Sequence, residues 1–143
     1  MKNSLIAIAL IIALFGVYLT YFIFVTNPKV ADELKSDPNG ERAKKVMLLT
    51  FESGKQIPVN YLLEDNKVYV GADFVWWKTF RGDGAPVELL IKGETVQGHA
   101  RVVLDNKTFR DDIFSRLRPT VPTWLPEWLK AKLIVISRTP PST

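Results

Sequence analysis

The sequence predicts a mainly β protein: a six-stranded antiparallel barrel with one or two short helices, preceded by a single transmembrane helix. Three observations predict it. Residues 5–25, LIAIALIIALFGVYLTYFIFV, carry no charge and no proline. Behind them, short apolar or alternating runs of strand length recur. Hairpin-type turns such as Glu52-Ser53-Gly54-Lys55 and Lys92-Gly93-Glu94 separate several of these runs, the pattern of a small closed sheet.

At about 1.5 Å per residue the first stretch spans roughly 31 Å as a helix, the thickness of a bilayer's hydrocarbon core. A helix satisfies its backbone internally, which lipid requires. The stretch is longer than the apolar core of a signal peptide, and no small-residue cleavage pattern follows closely. Before it stand Lys2 and the amino terminus; behind it come Lys29, Lys35, Arg42, Lys44 and Lys45. That bias places the C-terminal part in the cytoplasm, as a single-pass protein of the cell's inner membrane with the bilayer as its first partner. The expected division is an anchor at 1–26, a linker with a short surface helix at 27–43, and one barrel domain at 44–143.

Asn27-Pro28 reads as a helix start, with Asn27 as cap and Pro28 at the first helical position. Asp37-Pro38-Asn39-Gly40 ends that helix. Strands are expected at 46–51, 56–63, 68–71, 87–91, 95–104 and 132–137. In the second, Ile57, Val59, Tyr61 and Leu63 share one face, and Pro58 demands an edge or a bulge because it cannot donate to a ladder. In the fifth, Val96, Gly98, Ala100, Val102 and Leu104 share a face against Gln97, His99 and Arg101. The small Gly98 and Ala100 suit a barrel bend or the close approach of another strand. Thr108 with Asp111 resembles a capping box opening a helix whose apolar face is Phe109, Ile113, Phe114 and Leu117, ended by Pro119.

Composition narrows the chemistry. There is no cysteine, so disulfides and thiolate chemistry are excluded. The single histidine, His99, lies on a polar strand face, and no His or carboxylate cluster has metal-ligand spacing. Net charge is +4, without a Lys/Arg block of the kind that binds nucleic acid. A chain without acid–base groups of its own takes its chemistry from a cofactor.

The stretch 71–86, GADFVWWKTFRGDGAP, is the richest in binding chemistry. Its rings offer stacking faces, Lys78 and Arg81 offer phosphate contacts, and Gly82 and Gly84 allow backbone N–H groups to approach an anion. The competing reading is a helical turn with Trp76 and Phe80 on the core side. A second aromatic stretch, 119–130, holds Trp124 and Trp128. It is open to three readings: a turn dipping into the membrane surface, a lid over the barrel mouth, or ordinary packing before the last strand.

A family resemblance enters with the order of these motifs. A Ser53-Gly54-Lys55 turn is followed by a proline-containing strand, an acidic turn, Val68-Tyr69-Val70-Gly71 and Trp76-Trp77-Lys78. Val87-Glu88-Leu89, Ile91-Lys92-Gly93-Glu94 and Ala100-Arg101-Val102-Val103 come next. The order resembles the deazaflavin-dependent nitroreductase family, split β-barrels related to FMN-binding pyridoxamine phosphate oxidase barrels. It implies a split barrel that binds a deazaflavin coenzyme or FMN and transfers hydride to a quinone or nitroaromatic. It also implies that Lys55, Lys78 and Arg81 hold phosphate and that Trp76 stacks or shapes the site. A homodimer with cofactor between subunits is a further implication. The family's glycine-rich loop before the Trp is reduced here to Ala72-Asp73-Phe74-Val75, and the Arg-Lys pair of its first turn is missing. These departures keep open an alternative, a non-catalytic membrane-anchored barrel that serves as an interaction module. From the charge bias, a reporter that is active only outside the cytoplasm, fused after Thr143, is expected to stay silent. Activity there would reverse the orientation.

Overall fold

The computed structural model describes residues 1–139. Helix α1 (Lys2–Tyr21) is followed by one wide π turn (Phe22–Thr26) and helix α2 (Asn27–Ser36). These form one helix, long and apolar enough to cross a membrane, with none of its most apolar window buried; a signal sequence near an N-terminus meets the same criterion of length and composition. The cap expected at Asn27 is not formed. Thr26 and Asn27 both have helical backbone angles, and no side chain caps the segment. Within an α-helix Pro28 would lose one hydrogen bond and press its ring on the Phe24 carbonyl. The wide turn, closed by Asn27 N–H donating to the Phe22 carbonyl, absorbs the proline without ending the helix.

Six strands follow: β1 (Val46–Phe51), β2 (Gln56–Glu64), β3 (Lys67–Ala72), β4 (Ala85–Ile91), β5 (Glu94–Val103) and β6 (Lys132–Arg138). They close into an antiparallel barrel in the order β1-β2-β3-β6-β5-β4. All six expected strands are present. The period-two faces of β1 and β5 are the reason: Met47, Leu49 and Phe51 point inward, as do Val96, Gly98, Ala100 and Val102. Gly98 is small because β6 passes over it. A Cβ there would lie 2.8 Å from the Ile136 methyl and 3.0 Å from the Ser137 carbonyl.

Two helices cover parts of the barrel's outside. α2 buries Leu34 against Leu48 of β1, with Leu90 of β4 beside them. α3 (Lys107–Leu117) lays Ile113, Phe109 and Phe114 on Tyr69, Leu133 and Val103. The cap of α3 is Asn106, in left-handed conformation with its side chain accepting from Phe109 N–H. Thr108, the expected cap, lies inside the first turn instead. Asn106 wins because it tolerates the left-handed angle and its carbonyl reaches the N3 amide.

One end of the barrel carries the turn 52–55, the segment 73–84 and the long connection 104–131. The opposite end carries the turns at 65–66 and 92–93. A 3-10 segment (Val75–Phe80) plugs the first end. Phe80 is fully buried and stacks on Phe51 at 5.5 Å, while Trp76 meets both rings edge-on at 5.9 and 6.2 Å. Phe80→Ala removes the plug and should lower unfolding free energy by about 3–5 kcal/mol. Denaturant unfolding of the full chain in detergent measures it; a loss below about 1 kcal/mol would mean that the end refills from elsewhere.

Candidate functional site

The barrel is closed in order but not along its whole height. In β2, Val46↔Asn60 to Thr50↔Gln56 pair with β1, while pairing with β3 begins only at Tyr61↔Val70. Gln56 to Asn60 therefore have no β3 partner, and Gly71 and Ala72 pair only with β6. Phe51 N–H donates to Lys55 C=O and Tyr61 N–H to Lys45 C=O. Antiparallel alternation then aims the odd-numbered backbone groups of β2 at β1, and those of Gln56, Pro58 and Asn60 into the gap. Pro58, which has no N–H, thus sits at a free edge position, as its chemistry requires.

A groove of about 1450 Å³ opens at this gap. Gln56 to Asn60 of β2 line it, with Gly71 and Asp73 beyond. Phe51, Phe74, Val75, Trp76 and Phe80 form its aromatic end; Leu19, Phe22 and Ile23 of the apolar helix form another wall. Lys35 and Lys55 bring positive charge, and Asp32 and Glu52 negative charge. Lys35 Nζ lies 3.5 Å from the Gln56 side-chain carbonyl.

Arg118, at the C-cap of α3, reaches into the gap. Its guanidinium donates to the Gly71 carbonyl at 3.0 Å and forks onto Asp73 at 2.5 and 2.9 Å. In a continuing ladder that carbonyl would face Asn60. The arginine takes the place of the missing strand contact. Gly71 makes room: a Cβ there would stand 2.9 Å from the guanidinium carbon. The sequence reading missed Arg118. The only local signal was a glycine ending an otherwise apolar strand, and nothing in the sequence said what would press against it.

Of the four residues expected to hold a cofactor, Lys55 and Trp76 line the groove. Lys78 and Arg81 are brought together elsewhere: their cations lie 6.0 and 5.9 Å from the Trp77 ring centre, and neither lines the groove. His99 holds the Asp83 carbonyl at 2.5 Å on the barrel's outside, so its ring braces the loop around Gly84. Tyr61, whose hydroxyl donates to the Ala43 carbonyl, has its phenol pushed above its ordinary value by burial. Arg116, paired with Glu64 and Asp112, is held still more firmly protonated. Among the described residues no group of His, Cys, Asp or Glu is placed to hold a metal ion.

Comparison with solved structures places the fold. The barrel superposes on a candidate pyridoxamine 5'-phosphate oxidase from Listeria innocua with a TM-score of 0.54 and 14% identity, over 68% of this chain and 87% of that one. The fold is that split barrel. An FMN-binding protein from Syntrophomonas wolfei subsp. wolfei aligns over 91% of this chain and 98% of its own. Its identity is 11% and its TM-score 0.36, too loose a superposition to bear on the site. No protein-family model matches the chain, and no curated protein matches it in sequence.

The Arg118 contact is testable by a double-mutant cycle. Arg118→Ala leaves the Gly71 carbonyl without its donor and should cost about 1–3 kcal/mol. Gly71→Ala pushes the same guanidinium away, so the two losses should overlap and the double variant should fall well short of their sum. Strict additivity in denaturant unfolding would show that Arg118 does not hold the gap.

Proposed function

We propose that the protein is a membrane-anchored flavin- or deazaflavin-dependent reductase with its cofactor in the groove at the β2–β3 gap. One observation carries this reading: the groove joins an aromatic end, an unpaired strand edge and two lysines. The donor set fits the group. Asn60 N–H and the carbonyls of Gln56, Pro58 and Asn60 offer alternating donors and acceptors, which suit the polar edge of a pyrimidine-fused ring. Phe51, Phe74 and Trp76 suit its faces, and Lys55 with Lys35 suits a phosphate. The likeness of fold to a candidate pyridoxamine 5'-phosphate oxidase supports the same class of ligand.

A bound flavin or deazaflavin would supply hydride transfer. The chain's residues bind and orient. Lys55 anchors charge at the first turn, Trp76 lines the aromatic end from the plug, and Arg118 keeps Gly71 and Asp73 in place. Leu19, Phe22 and Ile23 make an apolar wall for an acceptor of quinone or nitroaromatic type. The long apolar helix crosses the inner membrane, with the barrel on the cytoplasmic side. A homodimer with the cofactor between subunits, which the family resemblance implies, belongs to the same reading. The second reading, an interaction module without cofactor, is favoured by the placing of Lys78 and Arg81 on Trp77 rather than in the groove.

Titration of the purified full chain with FMN and with a deazaflavin coenzyme, followed by absorption and fluorescence, separates the two. Binding at tens of micromolar or tighter is expected; none of either would leave the interaction module. A charge-assisted hydrogen bond contributes about 1.5–3 kcal/mol, roughly one to two decades in affinity, so Lys55→Ala should weaken binding at least about tenfold. Lys78→Ala with Arg81→Ala should change it less. If the second pair costs more than Lys55, the phosphate lies against the 3-10 segment, where the sequence resemblance puts it.

A further inference from the structure

We infer that the barrel does not hang from its anchor on a free tether: its split end is seated on the bilayer that holds α1. The inference rests on the reading that α1 spans the membrane. Its first support is continuity. Leu19, Phe22 and Ile23 belong to the last turns of the apolar stretch, and they line the same groove as Phe74 and Val75 of the barrel. Those two loop residues are thus at the depth where the helix leaves the hydrocarbon.

The second support is exposure. Phe74 and Val75 are 61% and 69% exposed, and Trp124 and Trp128 are each 79% exposed. The two tryptophans of the 119–130 stretch are therefore not packed into the barrel. The Trp loop is tied down at both ends beside the groove. Arg118 holds Gly71 at one end, and Lys132 pairs with Ala72 at the other. Both loops therefore rise from one end of the barrel, and Phe74 and Val75 share the groove with the last turns of the anchor. Tryptophan, apolar in body with a polar N–H, settles at the membrane–water boundary.

Charge agrees with an anionic lipid surface. Lys78, Arg81 and Lys132 stand at this end without an ion-pair partner among the described residues; Lys130 is paired to Glu127, and Asp73, the acid nearest the 3-10 segment in sequence, is paired to Arg118, which leaves Asp83 and Glu52 as the acids of the adjoining turns. Cations beside exposed rings are the usual composition of a surface that lies on a bilayer rather than crossing it.

The chain has no cysteine, so single nitroxide labels can be placed one at a time. The full chain is reconstituted in vesicles of phosphatidylcholine and phosphatidylglycerol, with labels at Thr123→Cys, Val75→Cys, Lys92→Cys and Leu14→Cys. Lys92 lies at the opposite end of the barrel, in the turn whose Gly93 packs on Pro38. Labels at 123 and 75 are expected to collide more with oxygen than with a water-soluble nickel complex, and the label at 92 the reverse. Trp124→Glu with Trp128→Glu should shift the 123 label towards water. If 123 and 75 read as wet as 92 while 14 reads apolar, the helix spans and the seated barrel is overturned. If 14 also reads wet, the spanning reading falls and the seating with it. A 123 label whose depth ignores the two Trp→Glu changes removes the tryptophans from the contact.

Discussion

The interrupted ladder between β2 and β3 is the constraint on which the site depends. A six-stranded barrel paired along its full height has an interior filled by its own side chains. Here the interior is filled, by Met47, Leu49, Val70, Leu89 and Ile134 among others, with Phe80 as plug. Space for a ligand arises outside that core, where β2 and β3 part after Tyr61 and Val70. An unpaired edge of this kind is normally a liability, because it invites another strand. Three features manage it: Pro58 removes one donor, Arg118 engages the free Gly71 carbonyl, and α2 with the end of α1 forms the opposite wall.

The helix and the barrel are joined through the same region. A helix that ended at the membrane surface and resumed after a flexible linker would give the two parts no fixed relation. The π turn carries the helix past Pro28 without a break, and α2 then buries Leu34 on the outside of β1. The last apolar turns are held against the gap in consequence. One element serves as apolar stretch, as wall of the groove and as cover for part of the sheet.

The strands were legible because a half-buried strand writes its two faces into alternate residues. β5 is the clearest case, and Pro58 announced an edge or a bulge, of which the structure has the edge. Helix ends were less legible. Asn27-Pro28 carries every sign of a helix start, yet the helix runs through it, since a π turn accommodates proline at no cost visible in composition. At α3, Asn106 and Thr108 compete as caps two residues apart, and backbone angles rather than residue type decided between them.

Chain order alone determined the apolar helix, the six strands, their alternation and the exclusion of thiol chemistry. Each is a property of local spacing or of residues that are simply present or absent. Tertiary structure decided which charges meet which groups. Arg118 reaches Gly71 and Asp73 across 47 and 45 residues of chain, and Leu19 shares a groove with Trp76. It also turned Lys78 and Arg81 onto Trp77, a contact that local spacing allows but does not distinguish from an anion site. The physical reason is range. Side-chain periodicity records only inside and outside, whereas the place of a long cation depends on the nearest polar or aromatic partner in space, which closure of the barrel determines.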